Sequence, residues 1–210
     1  MEEQKTLKSR IENFFYYYKW HTIFTLLAIF LIVTTIIQVR SRIDYDTTIT
    51  FLGSFGQEEA TMKQFQNNME QVLTDANEDG EVHVLPYFLL VSGDVMSAEQ
   101  DSASAVRLQG MILTRETTVM ILDQGAMTAL AEGGALEDLT PFYEEYGLEL
   151  TDHPYGIPIS EDNPVFSMFF MSGKQYYITR LAKGTEMDAR QTADYENAEK
   201  VLRMVIEGQM

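Results

Sequence analysis

The sequence predicts an α/β protein: a single transmembrane helix near the N-terminus, then one α/β domain with a mainly parallel sheet, closed by a C-terminal hairpin and helix. An apolar run without any charged residue covers residues 22–39. After it, β-branched apolar segments alternate with segments of helical periodicity, which is typical of parallel strands joined by crossover helices. Residues 44–210 are enough for one such domain with its own core.

The apolar run has the length and the flanks of a membrane span. A helix over residues 22–39 is about 27 Å long, close to the hydrocarbon thickness of a bilayer. Aromatic residues and a lysine fill residues 16–20, and Arg40 and Arg42 follow the run, as expected at the two interfaces. A cleaved signal peptide is the alternative, but its apolar core is normally shorter and ends at a small-residue cleavage site. We interpret residues 1–20 as a cytoplasmic tail, residues 21–39 as the transmembrane helix and residues 44–210 as an extracytoplasmic domain.

The basic residues near the span favour an orientation with the short tail inside the cell. Four lysine or arginine residues precede the run and two follow it closely, and cytoplasmic flanks carry the excess of such residues. The chain has no cysteine, so disulfides, thiolate nucleophiles and Cys-ligated zinc are excluded. Because exported domains without cysteine are common in bacteria, we expect a single-pass protein of the bacterial cell membrane.

The predicted outer domain is strongly acidic. Residues 44–210 hold nine basic and 29 acidic residues, a net charge of −20, within a chain of formal net charge −17. Such a domain repels nucleic acid and anionic lipid headgroups, which disfavours polynucleotide binding and a peripheral role on the lipid surface. The charge suits a soluble exterior domain or one that collects cations.

The first half of this domain has the pattern strand, helix, strand, helix. Residues 47–52 are β-branched and apolar and end at a Gly-Ser-Phe-Gly turn. Residues 82–91 predict a second strand, in which Pro86 indicates an edge position or a bend. Apolar residues at helical spacing predict a helix after each strand: Met62, Phe65, Met69, Val72, Leu73 and Ala76 in the first, and Ala98, Ala105, Leu108 and Ile112 in the second.

The second half begins with a strand that is apolar on both faces. Residues 119–122 are typical of a central parallel strand, and Asp123 is a candidate N-cap for a helix over residues 126–131. Residues 165–171 and 175–181 flank a Ser-Gly-Lys turn and predict a hairpin. A final helix is predicted by one apolar face, Tyr195, Ala198, Val201, Leu202 and Val205.

Two short segments carry a resemblance to a known family. Residues 118–140 contain a strand, an acidic cap, a helix, a Gly-Ala-Leu step and an Asp-Leu pair, and residues 155–159 read Tyr-Gly-Ile-Pro-Ile. Both resemble extracytoplasmic solute-binding proteins of bacterial ABC importers, the second at the strand where those proteins cross between lobes. The resemblance covers about residues 46–160. It implies one lobe of that fold on a transmembrane stalk, because the 51 residues after Ile159 are too few for a second lobe.

A candidate ligand site follows from the predicted sheet. Open α/β sheets bind ligands at the carboxyl ends of their parallel strands, and the Gly-Ser-Phe-Gly turn is where the first ligand loop of a solute-binding protein would be. Ordinary turn and capping chemistry explains the same residues, so that alternative stays open. The candidate positions are Ser54, Phe55, residues 92–94, Asp123, Gln124 and Tyr155.

Residues 75–81 resemble the opening of a calcium loop. Oxygen-bearing side chains stand at positions 1, 3 and 5 and glycine at position 6, as in an EF-hand, although Pro86 occupies position 12 in place of the bidentate glutamate. A polar turn between a helix and a strand is the alternative. The candidate ligands of a Ca²⁺ ion are Asp75, Asn77, Asp79 and Glu81.

The sequence contains none of the catalytic motifs His-Glu-x-x-His, Gly-x-Ser-x-Gly and Ser-x-x-Lys. We therefore expect no enzyme but a membrane-anchored extracytoplasmic binding module, which binds a protein partner or a solute at the cell envelope. The alternative is a structural or accessory subunit of an envelope or transporter complex without a small-molecule site, and an acid-based hydrolase is a third reading. An exposed apolar face around Phe166, Met168 and Phe170 would mark a partner surface.

Overall fold

The structure is a computed structural model that describes residues 7–40, 43–56, 58–91, 98–151, 154–169 and 174–208. The chain divides into two compact units, Met1–Ile43 and Asp44–Met210. The boundary between them follows shortly after the apolar run that the sequence singles out.

The first unit contains one long helix, α1 (Leu7–Arg40). Within it, Tyr16–Gln38 contains an 18-residue window with a mean hydropathy of 2.1 and is long and apolar enough to cross a membrane. The hydroxyl groups of Thr22, Thr34 and Thr35 donate to carbonyl oxygens one turn back in the same helix, so these polar groups are paired inside the apolar stretch. Length and composition fit a membrane anchor and also a signal sequence near the N-terminus.

The second unit is a mixed α/β domain built on one five-stranded sheet of order β2-β1-β3-β5-β4. Its strands are β1 (Thr47–Leu52), β2 (Val84–Leu89), β3 (Val119–Asp123), β4 (Ile157–Ile159) and β5 (Tyr176–Arg180). Its described helices are α2 (Glu59–Glu70), α3 (Ala98–Thr114), α4 (Gln124–Glu132), α5 (Thr140–Tyr146) and α6 (Ala189–Glu207).

The sheet is mixed and not purely parallel, so the prediction of a mainly parallel sheet holds only in part. β1 runs parallel to β2 and β3, whereas β5 lies between β3 and β4 and runs antiparallel to both. Helices α2 and α3 connect parallel strands, as a parallel arrangement requires. Between β4 and β5 the described residues contain only a short 3-10 helix, Ser167–Phe169. A connection without a long crossover helix joins its strands in opposite directions.

The prediction of a C-terminal hairpin is wrong for its first strand, residues 165–171. The second arm, residues 175–181, contains β5, but residues 165–169 form a turn and the 3-10 helix. β5 instead pairs with β3 and β4. Periodicity in the sequence shows that a segment is extended, but it does not show which partner the segment takes, and here the partners are distant in sequence.

The exposed apolar face that would have marked a partner surface near the hairpin is not found among the residues that the structure describes. Phe166 and Phe169 are fully buried, because their rings pack against the ring of Phe51 at 6.1 and 5.1 Å between centroids. Met168 is partly buried against the same core, and Phe170 lies outside the described residues. This aromatic segment therefore contributes to the core from a loop.

Helices cover both faces of the sheet. Side chains of Val119 and Ile121 join α2, α5 and α6 in one core, and those of Met120 and Leu122 join α3 and α4 in another. All four are fully buried, as predicted for a strand that is apolar on both faces. β2, which contains Pro86, is an edge strand, in agreement with the position of the proline.

Candidate functional site

An apolar groove lies between α3 and α4. Its volume of about 490 Å³ is in the range of ligand pockets in proteins. The described lining residues are Asp101, Ala105, Leu108, Gln109, Ile112 and Leu113 of α3, Ala126, Ala129 and Leu130 of α4, Gly133 and Ala135 after α4, and Leu52 and Val91 at the strand ends.

Helix α3 forms one wall of the groove and is fixed to the sheet by its other face. Ser104 and Met111 are buried, and the Ser104 hydroxyl donates a hydrogen bond of 2.8 Å to the Leu90 carbonyl next to the end of β2. From Asp101 to Ile112, every third or fourth residue lines the groove. This spacing brings the lining residues onto one side of the helix over about three turns.

Helix α4 forms the opposite wall with small side chains. Asp123 begins this helix: its carboxylate accepts a hydrogen bond of 2.9 Å from the Ala126 N–H, which confirms the predicted N-cap. Ala126, Ala129 and Gly133 follow one another along the groove at helical spacing. Because their side chains are a methyl group or a hydrogen, they leave space between the two helices that larger residues would fill.

The groove starts at the end of the sheet where open α/β domains bind ligands. Leu52 is the last residue of β1 and Val91 follows β2, and both line the groove. β1 lies between β2 and β3, and the two crossover helices α2 and α3 pack on opposite faces. Such a reversal of strand order creates a crevice at the carboxyl ends of the parallel strands.

The surface of the groove is apolar, and α3, which forms one of its walls, carries two exposed apolar side chains. Among the described lining residues, only Asp101 and Gln109 have polar side chains, and none is basic. Leu113 at the rim is 77% exposed, and Val106 on the solvent side of α3 is 70% exposed. They are the two most exposed large apolar side chains among the described residues of the second unit. A patch of this kind in an otherwise acidic domain indicates an interaction site.

The residues predicted to bind a ligand are not part of this groove. Phe55 is buried in the core with its ring 5.3 Å from that of Phe51, and Asp123 is used as the cap of α4. Gln124 is exposed in the first turn of α4. Tyr155 is partly buried against the core under α3 and α4. Turn, cap and core chemistry accounts for these positions, and ligand binding by them stays a prediction.

Tyr176 connects two of the predicted residues, although no motif in the sequence marks it. Its hydroxyl donates to the Ser54 carbonyl at 3.2 Å, and in the sheet it stands opposite Asp123. Burial, and then the nearby Asp123 carboxylate, raise the pKa of Tyr176, so the phenol keeps its proton at neutral pH. The pairing of β3 with β5 creates this contact and is not visible in the sequence.

The remaining candidate ligand positions, residues 92–94, lie outside the described residues.

The acidic loop has the geometry of a polar turn. The Asp75 carboxylate accepts hydrogen bonds from the N–H groups of Glu78 at 2.6 Å and Gly80 at 2.7 Å, and backbone hydrogen bonds, with that of Gly80 the strongest, lower its pKa. Asn77 and Asp79 each accept a backbone N–H two residues further on. In the part of the chain that the structure describes, no three or more His, Asp or Glu side chains are grouped to hold a metal. Calcium binding by Asp75, Asn77, Asp79 and Glu81 stays a prediction.

A buried carboxylate connects this loop to the sheet. Asp46 is 3% exposed and accepts hydrogen bonds from the N–H groups of Ala76 at 2.7 Å, Asn77 at 3.1 Å and His83 at 2.7 Å. Both of its carboxylate oxygens are therefore paired with backbone N–H groups. The role of Asp46 is structural, and no local pattern in the sequence indicates it, because its three partners lie 30 or more positions away.

A second largely buried carboxylate, Asp194 of α6, lies near the amino ends of the parallel strands. The Thr118 hydroxyl donates to its Oδ2. Burial raises the pKa of Asp194 to about 6, although hydrogen bonds from Thr118 and Thr47 and the charge of Arg190 act in the opposite direction. The cavity beside it has a volume of about 10 Å³, which is enough for one water molecule at most. This cluster therefore offers no room for a ligand, and the groove remains the candidate site.

Comparison of the chain with protein-family models, with curated proteins and with solved structures finds no match. The resemblance to one lobe of a solute-binding protein therefore stays a prediction. The groove is defined by its own geometry, and the residues that line it determine what it can bind.

Proposed function

We propose that this chain is a membrane-anchored binding module without catalysis, and that the groove between α3 and α4 is its binding surface. The observation that carries the proposal is the apolar lining of the groove, from buried Leu52 at the end of β1 to the exposed side chain of Leu113 at the rim. Leaving such a surface in water is unfavourable, by roughly 25 cal/mol for each Å² of apolar area. A partner that covers it gains this free energy on binding.

The proposal includes the location of the domain. Tyr16–Gln38 anchors the protein in a bacterial cell membrane, and the excess of basic residues before the span favours a cytoplasmic N-terminus. The acidic domain is then outside the cytoplasm, where it retains one lobe of a solute-binding fold. A single lobe offers an open surface that buries little of a small solute, so a protein partner suits it better than a solute.

The chemistry of the groove supports binding over catalysis. Its described lining contains one carboxylate, Asp101, and one amide, Gln109. Nucleophilic or acid–base catalysis needs a reactive group and a second group within hydrogen-bond reach that activates it. A sugar or an amino acid would also need several convergent polar groups for orientation.

Site-specific photo-cross-linking in intact cells tests the proposal. A photoreactive amino acid at Gln109 or Leu113 of the full chain lies in the groove or at its rim. A photoreactive residue at exposed Ala103 is the control, because Ala103 lies two residues before Ala105 and thus on the far side of α3. We expect discrete adducts from the two groove positions and none from position 103. Adducts of equal yield and size from all three positions would contradict a binding function for the groove.

A further inference from the structure

We infer that the groove receives an amphipathic helix of a partner protein, with an apolar stripe that contacts α3 and α4 and with lysine or arginine residues along its flanks. This partner class depends on the binding function proposed above. It follows from the shape of the groove and from the sign of the charge around it.

The shape of the groove fits a helix. The lining face of α3 extends from Asp101 to Leu113, which is about 18 Å at 1.5 Å per residue, the length of a helix of about three turns. Ala105, Ala129 and Gly133 are small enough for a third helix to approach α3 and α4 at an ordinary packing distance of about 8–10 Å between axes. The partner helix would place an apolar side chain in the groove at every third or fourth position.

An extended peptide suits the groove less well. Strand addition needs a sheet edge with N–H and C=O groups that are ready to pair. The two walls are helices, and their backbone groups are bonded within α3 and α4. The apolar side chains of the walls therefore decide what binds, and a helix presents the matching surface without unpaired backbone groups of its own.

The charge around the groove selects a basic partner. Asp101 lines the groove, Glu99 stands in the same first turn of α3, and the second unit carries a net charge of −20. Because no described lining residue is basic, lysine or arginine residues of a partner meet no like charge. Charge complementarity of this kind raises the association rate and discriminates against partners of the wrong sign.

The same charge argues against other occupants. A second copy of this acidic unit would repel the first, and anionic lipid headgroups would be repelled as well. A polar solute would find only the side chains of Asp101 and Gln109 to orient it. An amphipathic helix with basic flanks satisfies the apolar walls and the acidic surroundings together.

Binding of designed peptides to the full chain in phosphatidylcholine nanodiscs tests the inference. The probe is a fluorescent peptide of about 14 residues, long enough to cover the α3 face, with leucine at every third or fourth position and lysine elsewhere. Two peptides serve as controls: one with glutamate in place of lysine, and one with the same composition as the probe in an order that destroys the stripe. Fluorescence anisotropy is measured against empty nanodiscs as the blank.

We expect the lysine peptide to bind at least about tenfold more tightly than either control peptide. Ala129→Phe, which fills the groove, should abolish this binding, and Ala103→Phe, on the far side of α3, should leave it unchanged. Asp101→Lys, an exchange at the rim that does not depend on filling the groove, should weaken binding of the lysine peptide and strengthen binding of the glutamate peptide. Circular dichroism shows whether each variant is folded.

Several results would overturn the inference. Equal binding of the lysine and glutamate peptides, or of the permuted peptide, would remove the basic amphipathic helix as the partner. A covalent dimer of this chain or a lipid adduct from Leu113 in the cross-linking experiment would place a second copy or a lipid in the groove. If no peptide binds while protein adducts from Leu113 persist, the partner class is wrong and the binding function stands. If no peptide binds and no protein adduct forms from Leu113, both the partner class and the binding function are wrong.

Discussion

At the scale of single residues, Asp46 is where the stability of the α/β domain is most easily tested. Replacing it by alanine leaves the N–H groups of Ala76, Asn77 and His83 without their acceptor. Since an unsatisfied buried donor costs about 1–3 kcal/mol, we expect Asp46→Ala to lower the free energy of unfolding by about 3 kcal/mol or more. Urea denaturation of residues 44–210, a compact unit with its own core, measures this change.

Asp79→Ala is the matched control for that measurement. Asp79 is exposed and accepts a single backbone N–H, that of Glu81 at 2.9 Å. We expect its replacement to cost about 1 kcal/mol or less. Equal effects of the two substitutions would show that burial and the number of donors do not explain the importance of Asp46.

Asp194 gives the domain a dependence of stability on pH. Its pKa is about 6 in the folded chain, raised mainly by burial from an ordinary value of 3.8, so the folded state holds this proton more tightly than the unfolded state. The contribution of Asp194 to the free energy of unfolding is therefore largest below about pH 4 and is lost as the pH rises through about 6. A shift of this size corresponds to about 3 kcal/mol.

The variant Asp194→Asn isolates this contribution from those of other carboxylates. The amide keeps an acceptor for the Thr118 hydroxyl and cannot become charged. The free energy of unfolding of the variant minus that of the wild type should increase by about 2–3 kcal/mol as the pH rises from 4 to 7.5. The neighbouring charges of Arg190, Asp46 and Asp44 are present in both proteins. A difference between the two proteins that stays constant over this pH range would contradict the assignment.

At the scale of secondary structure, local signals in the sequence predicted some elements well. Residues 47–52 form β1 with the predicted bounds, and the apolar face of α6 is buried, because side-chain periodicity and burial are linked within one element. The partners of β5 and the loop position of Phe166 and Phe169 were missed. They depend on contacts between segments far apart in sequence, which periodicity within a segment does not contain.

The groove was missed for a related reason. Helical spacing in the sequence predicts Ala105, Leu108 and Ile112 as part of the apolar face of a helix, and these residues do line the groove. An apolar face predicts contact with something, but only the distance between α3 and α4 shows that part of this face remains uncovered. The small residues at the spacing of Ala126, Ala129 and Gly133 are the available sequence signal, since they leave volume wherever two helices meet.

The N-cap of α4 offers a test at this scale. Asp123→Ala removes the acceptor of the Ala126 N–H and should lower the free energy of unfolding by about 1 kcal/mol. Asp123→Asn keeps an oxygen at the same place and should cost only a fraction of that. Urea denaturation of residues 44–210 provides both values. If alanine and asparagine destabilise the domain equally, the cap does not contribute in the way that the geometry indicates.

At the scale of the whole molecule, charge and hydropathy are divided along the chain. The residues before position 44 carry a net charge of +3 and contain the apolar span, whereas the rest carries −20. A basic flank is retained on the cytoplasmic side of a membrane, and an acidic domain remains soluble and does not adhere to anionic headgroups. The division thus favours the orientation proposed above, with the N-terminal flank in the cytoplasm.

Protease accessibility in intact cells tests that orientation, with one epitope tag at each end of the full chain. We expect added protease to remove the C-terminal tag and to leave the N-terminal tag on a short membrane-bound fragment, because the bilayer shields the cytoplasmic tail. A cleaved signal sequence would instead separate the N-terminal tag from the domain before any protease is added, so the length of the untreated chain distinguishes an anchor from a signal. The cells must digest an outer-surface control protein and preserve a cytoplasmic one. If the C-terminal tag survives under those conditions and disappears only when the cells are opened, the domain is cytoplasmic, and the count of basic residues does not govern the topology of this chain.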